Sequence, residues 1–385
     1  MRLGIFPESA IAKIKGKKVI WLHAVSVGEA QAVSTLVDQL KASYPNFRLV
    51  ISTVTKTGNK IARKLARAED LIIYSPLDIG FIVRAVVRLI NPQALIVAET
   101  EIWPNLVAGL AKRKIPVILV NGRLSQGSFK GYKIIRCFLK GVLQRFSLFC
   151  MQTKEDAQKI IYLGADEDKV KVTGNMKFDV QLSALSYQPS VLGLNKEERL
   201  FIAGSTHRPE ERIILEVYKQ LIKNYPDLRL LIAPRHIERT QEIEKLVVKF
   251  GFKPQRVSKI GETTNSVLIL DTIGQLKSLY AAADIVFIGG SLVRHGGQNP
   301  IEPAIFCKPI LFGPYMFNFS DVAGVFLKRK AAIMVRDAQE LENVSMKLLR
   351  EPLLSERIGA RTREVIQENR GATLRNMELI RGLLK

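Results

Sequence analysis

Short apolar runs separated by amphipathic stretches recur along this chain, and that rhythm constrains its fold more than any single motif does. Residues 19–22, 49–52, 71–74, 94–98, 117–120 and 148–151 are almost uninterruptedly apolar, the pattern of strands buried on both faces of a parallel sheet. Helical patterns fill the gaps, so the first half reads as a doubly wound α/β domain. The rhythm lapses through residues 183–194, where Pro189 and Gly193 interrupt it. It restarts at 200–203, 229–233, 267–270, 284–288, 309–312 and 332–335. A linker near residue 187 therefore divides two Rossmann-like domains, expected at 1–186 and 187–385, with a ligand cleft between them. Open α/β sheets bind ligands outside the carboxyl ends of their strands, so the chemistry belongs on the loops that follow the strands. Residues 353–384 read as helix alone and are assigned to the second domain, packing back across both.

The 385 residues, 47% of them hydrophobic, suffice for two ordinary cores. Lys and Arg total 58 against 36 acids, a net charge of +22, which points to an anionic partner: nucleic acid, an anionic membrane or an acidic substrate. Residues 1–150 hold 23 basic and 8 acidic side chains, so the first domain carries most of the excess and is expected to face the polyanion. A merely basic, soluble surface accounts for the same numbers. Cys137, Cys150 and Cys307 are odd in number and set in apolar stretches, which suits reduced thiols of a cytosolic protein. No apolar run reaches the ~20 residues that span a bilayer, and the amino terminus lacks a secretory pattern, so any membrane contact of this chain is expected to be peripheral.

The first strand runs into His23-Ala24-Val25-Ser26-Val27-Gly28-Glu29, with a helix expected from about Ala30. A Gly before a carboxylate at such a turn can aim Glu29 into the ligand site; an ordinary acid at a helix start would look the same. Glu99-Thr100-Glu101-Ile102-Trp103-Pro104-Asn105 follows the fourth strand and places two carboxylates before a Pro-started helix. If the strand continues that far, Glu99 and Glu101 share a side, with Glu99 the better candidate for chemistry. In Gly174-Asn175-Met176-Lys177-Phe178-Asp179, Lys177 can bring a positive charge to the site, or simply be a turn lysine.

In the second domain, Gly204-Ser205-Thr206-His207-Arg208-Pro209 joins a strand to a helix, and Ser205 and Thr206 with free amides could cradle a phosphate or simply cap the helix. Pro234-Arg235-His236 closes the next strand, where Arg235 can take a phosphate or carboxylate through two N–H groups. The strongest local signal is Gly289-Gly290-Ser291-Leu292 leading to Gly296-Gly297-Gln298-Asn299-Pro300-Ile301-Glu302. Its glycines permit close backbone approach, and Glu302 in a helix's first turn can accept from ribose hydroxyls. No P-loop or G-x-G-x-x-G follows a strand, which lowers kinase, ATPase and dehydrogenase readings. Four histidines scattered at 23, 207, 236 and 295 argue against a His metal site, and Asp166-Glu167-Asp168 reads as a solvated turn rather than a metal-binding D-x-D.

Together, H-A-V-S-V-G-E, E-T-E-I-W-P-N, G-N-M-K-F-D, G-S-T-H, P-R-H and G-G-Q-N-P-I-E-P resemble, in the same order, the Kdo (3-deoxy-D-manno-octulosonic acid) transferases of lipopolysaccharide synthesis. The likeness covers nearly the whole chain. It implies the two-domain GT-B fold and inverting transfer of Kdo from CMP-Kdo to a lipid A precursor, without a metal or other cofactor, at the cytoplasmic face of the inner membrane. It further implies that Glu29 is the general base, that Glu99 and Lys177 stabilise the transition state, and that the nucleotide meets Pro234, Arg235, Ile273, Gly274, Gln275, Asn299, Pro300, Ile301 and Glu302. Three departures stand out. Gln275 replaces a usual Glu, Gln298 replaces a usual His, and Met1-Arg2-Leu3-Gly4 does not supply the hydrophobic anchor with which relatives commonly begin. A GT-B enzyme using a UDP-sugar, either a transferase or a 2-epimerase, is the alternative. A nucleic-acid-binding protein is more remote, because no recognition motif accompanies the basic charge and site carboxylates would repel phosphates.

Overall fold

The computed structural model describes residues 2–179, 192–195, 197–259 and 266–384. Two compact units divide the chain: Met1–Asp179 together with Asn369–Lys385, and Val180–Glu368. The expected linker near residue 187 lies outside the described residues.

In the first unit, β1 (Lys18–His23), β2 (Phe47–Thr53), β3 (Leu71–Tyr74), β4 (Ala94–Ala98), β5 (Val117–Gly122), β6 (Leu148–Met151) and β7 (Val170–Val172) form one sheet in the order 3-2-1-4-5-6-7. Every pairing is parallel. Alternate residues of β1 bury on opposite faces: Val19 and Trp21 join one core, Ile20 and Leu22 the other. That two-sided burial is why the strands read as apolar runs. The chain order reverses between β1 and β4, which therefore flank the switch point where such sheets bind ligands.

The helix Ala372–Arg381 covers the second of these cores, where Ala372, Met377, Ile380 and Leu384 pack with Leu36, Val37 and Leu40. Asp179 fixes its start by accepting from the backbone N–H groups of Gly371 (2.6 Å) and Thr373 (2.5 Å). The chain end therefore belongs to the first unit, which corrects its assignment to the second domain. A helical pattern shows an apolar face but not which of two sheets that face will meet.

The second unit repeats the design. Its strands are β8 (Arg199–Thr206), β9 (Leu228–Pro234), β10 (Lys253–Arg256), β11 (Ser266–Ile269), β12 (Ile285–Ile288), β13 (Ile310–Phe312) and β14 (Ile333–Met334), in the order 10-11-9-8-12-13-14, all parallel. The switch point lies between β8 and β12. The sequence pattern omitted β10; Lys-Pro-Gln-Arg is polar and carries a proline, as an edge strand can.

Candidate active site

In the first unit, Glu29 occupies the first turn of the short helix Val27–Ala32, whose N-cap is Ser26. Its carboxylate turns back on its own turn, accepting from the Val25 N–H (2.7 Å) and the Ser26 hydroxyl (2.9 Å), a variant of the capping box. The side chain is buried, and burial pushes its pKa up to about 7 against the pull of those two bonds, with the charges of Glu99 and Glu101 adding to the rise. A carboxylate that changes charge near neutral pH is suited to general-base work. Gly58 packs against this turn: a Cβ there would lie 2.8 Å from Thr55 Oγ1 and 3.2 Å from the Val25 carbonyl oxygen.

β4 does not continue through Glu99. It stops at Ala98, and Glu99 takes a left-handed backbone with φ of 54°, so strand alternation does not place the two acids. Glu99 instead stands between two cations, 3.6 Å from Lys177 Nζ and 3.5 Å from Arg123 Nε. Glu101 accepts from the Trp103 indole N–H at 3.2 Å, and burial raises its pKa. Lys177 reaches Glu99 from a 3₁₀ turn, Met176–Phe178, fixed at two points: Asn121 accepts from the Met176 N–H and Asn175 from the Lys177 N–H, both at 3.0 Å. Asn121 itself is the next-to-last residue of β5, with φ of 54°. The motifs at Glu29, Glu99 and Lys177 thus meet at one site. Arg123, Asn121 and Gly58 also serve it, and none stood out in the sequence, since each lies in a fragment that chemistry alone does not mark.

In the second unit the Gly-rich loop holds a surprise. Glu210 is fully buried, and its carboxylate accepts from the backbone N–H groups of Gly290 (2.7 Å), Ser291 (3.0 Å), Leu292 (3.0 Å) and His207 (2.9 Å). Of the Gly204–Pro209 turn expected to cradle a phosphate, the His207 amide is taken by this internal carboxylate, as are three amides of the Gly-rich loop. Thr206 is likewise buried, its hydroxyl donating to Glu211 at 2.9 Å, so it shapes the loop rather than offering a ligand-facing hydroxyl. Ser205 is half-buried with φ of 57°, and its carbonyl lies where a Cβ on Gly289 would fall.

Beside that loop, Pro234 is buried at the end of β9, while Arg235 is exposed and its N–H donates to the Thr206 carbonyl at 3.0 Å. Asn299 accepts from the Ile301 N–H at 3.0 Å and reaches Glu302 at 3.4 Å. Pro300 and Ile301 are buried, so these two offer packing and backbone rather than an exposed side chain. Burial raises the pKa of Glu302, and the charges of Lys277 and Arg235 oppose the rise. Gln275 precedes the short helix Leu276–Leu279 without capping it, its side chain accepting from the Thr272 hydroxyl at 2.5 Å, next to exposed Ile273 and left-handed Gly274. Arg235, Lys277, Asn299 and Glu302 are thereby neighbours at the carboxyl ends of the strands.

Among the described residues no group of His, Cys, Asp and Glu is arranged to hold a metal. Asp166 pairs with Lys169 at 2.8 Å in an open turn, as its surroundings in the sequence suggested. No described helix is long and apolar enough to cross a membrane.

Two doubly wound parallel sheets with side-chain clusters at their switch points define the GT-B class of sugar-handling enzymes. The solved UDP-N-acetylglucosamine 2-epimerase of Neisseria meningitidis shares that fold, with a TM-score of 0.63 over 94% of this chain and 99% of its own at 14% identity. The family model for 3-deoxy-D-manno-octulosonic-acid transferase (kdotransferase) matches residues 1–180. The 3-deoxy-D-manno-octulosonic acid transferase of Haemophilus influenzae is 35% identical over 390 residues, covering all of this chain and 91% of that protein. Its counterpart in Aquifex aeolicus is 31% identical over 379 residues, 98% of each chain. The chain belongs to the Kdo transferase family and is a glycosyltransferase.

Proposed function

We propose that this protein transfers Kdo from CMP-Kdo to a phosphorylated lipid A precursor, inverting the anomeric carbon, with Glu29 as the general base. The first unit would hold the acceptor and the second the nucleotide. The acceptor oxygen attacks the anomeric carbon of Kdo as Glu29 takes its proton, and the bond from that carbon to the phosphate oxygen breaks to release CMP. Glu99 and Lys177, side by side, stabilise the charge that develops. The observation that carries this reading is Glu29 itself, a buried carboxylate with a pKa near 7 next to an ion pair from two other motifs of the family resemblance.

Two features support an acceptor at an anionic membrane surface, read here as the cytoplasmic face of the inner membrane. Between Glu101 and Glu155 the chain holds ten Lys or Arg residues and no acid. Within that stretch the helices Gln126–Ile134 and Arg136–Leu143 expose Ile134 (86%) and Phe138 (63%) beside exposed Lys130, Lys133, Arg136 and Lys140. Apolar and cationic side chains together suit lipid headgroups over an acyl layer.

Incubating the protein with CMP-Kdo and the tetraacylated precursor, and weighing the lipid by mass spectrometry, tests the reaction. A product heavier by Kdo is expected, and its loss in Glu29→Gln with CMP binding retained. A preference for UDP over CMP in calorimetry overturns the donor assignment.

A further inference from the structure

His207, His236 and His295 are far apart in sequence yet meet in the second unit, because they follow β8, β9 and β12, strands that lie side by side in its sheet. The rings of His207 and His295 are stacked, with centroids 4.3 Å apart and 13° between planes, and His236 meets His207 edge-on at 5.9 Å. Gly290 forms the floor. A Cβ at that position would lie 3.2 Å from His207 Cδ2, 3.5 Å from His295 Cβ and 3.6 Å from Gln298 Nε2. Arg235, His236 and His295 are exposed, so the cluster opens to solvent. His207 Nε2 is buried without a hydrogen-bond partner.

The charges around this cluster are one-sided. The groups facing His207 are His295, His236, Arg235 and Glu211. Glu211 is engaged by Thr206 and by both terminal nitrogens of Arg239, at 2.7 and 3.1 Å, and Glu210 is closed over the loop amides. Donors and positive charge thus collect where Glu210 and Glu211 are already engaged, with Glu302 the remaining carboxylate beside Arg235. The backbone amides that would ordinarily hold an anion in a Gly-rich loop are already taken, so an incoming anion must be met by side chains. Stacked rings direct their nitrogens side by side rather than toward one point, which suits N–H donation to an oxyanion and not metal chelation.

We propose that His207 and His295, with Arg235 and His236 at the rim, form a subsite that takes up a proton as it binds a phosphate or carboxylate oxyanion. It rests on the reading of the second unit as the donor side, since CMP-Kdo carries both a phosphate and a carboxylate. The coupling follows from electrostatics. Burial, with His295, His236 and Arg235 adding to it, holds the His207 pKa down to about 4, so the ring is neutral at pH 7. An oxyanion beside the ring reverses the local field and raises that pKa, so binding is accompanied by proton uptake. Affinity must then strengthen as pH falls from the pKa of the complex toward about 4.

Titration calorimetry of the full chain with CMP, cytidine, free Kdo and inorganic phosphate, at pH 5.5, 6.5 and 7.5 and in buffers of different ionisation enthalpy, tests this. Expected for whichever anion occupies the subsite is uptake approaching one proton and affinity rising up to about tenfold per pH unit. Cytidine is expected to show neither effect. A response to CMP assigns the phosphate, and a response to free Kdo assigns the carboxylate. His207→Asn and His295→Asn, checked for unchanged thermal unfolding, should flatten the dependence. Proton-coupled phosphate binding that His207→Asn abolishes, with CMP and Kdo both failing to bind, keeps the subsite and removes the donor reading. CMP binding without proton uptake by any ligand, uptake that survives in His207→Asn, or no binding by any anion overturns the subsite.

Discussion

Glu29 and Glu210 begin from the same local design and end in opposite roles. Each is an acid in the first turn of a helix that follows a strand flanking the switch point of its sheet, and burial raises the pKa of each. Glu29 receives one backbone N–H and one hydroxyl. Glu210 receives four backbone N–H groups from two loops. Two bonds leave Glu29 able to gain a proton near neutral pH, whereas four make Glu210 a tie between a loop and a helix. What separates the two acids is the wiring of the carboxylate, which local sequence pattern does not reveal.

Glu29→Gln should give the largest effect, a fall in transfer rate of about a thousandfold with CMP affinity unchanged, measured by steady-state kinetics and calorimetry. In the unmodified enzyme kcat/KM should climb with pH around a midpoint near 7, because only ionised Glu29 can accept a proton. Stability should move the other way. The folded-state pKa of Glu29 lies above its ordinary value, so its contribution is complete below about 4.5 and is lost as pH rises through about 7. Denaturant unfolding at pH 8 should therefore find Glu29→Gln more stable than the parent, by at most on the order of 3 kcal/mol.

Glu210→Gln should do the reverse. A Gln amide turns N–H toward N–H at this loop, so unfolding should show a loss of about 3 kcal/mol together with a raised KM for the donor. If Glu210→Gln left stability intact while abolishing turnover, the contrast between the two acids would collapse. Gly58→Ala probes the Glu29 side more gently. The added methyl presses on Thr55 and the Val25 carbonyl, and kcat should fall roughly tenfold with donor binding unchanged in calorimetry. Smallest of all, Gln275→Glu, at an exposed position before the helix Leu276–Leu279, should change CMP affinity by no more than about fivefold in calorimetric titration.

The two sheets were legible because central parallel strands must be apolar on both faces, as β1, β4, β8 and β12 are. The polar edge strand β10 escaped for the converse reason. Glu29, Glu99 and Lys177 were picked out by their motifs, and the fold brings their loops together. The left-handed turn at Glu99, set by backbone φ, was invisible to strand alternation. The histidines looked scattered because linear spacing ignores that a parallel sheet delivers every strand's carboxyl end to one edge. The capture of the Gly-rich amides by Glu210 was hidden for a similar reason, since partner and loop are 80 or more residues apart.

The helix Ala372–Arg381 completes a core begun by strands near the start of the chain. During synthesis the first unit leaves the ribosome without it and waits while residues 180–368 are made, roughly 10 to 40 seconds at ordinary elongation rates. For that interval the apolar faces of Leu36, Val37 and Leu40 lack part of their cover, and Asp179 has no helix to cap. The half of the enzyme that holds Glu29 is translated first and finished last, so its nascent form passes that interval with apolar surface uncovered.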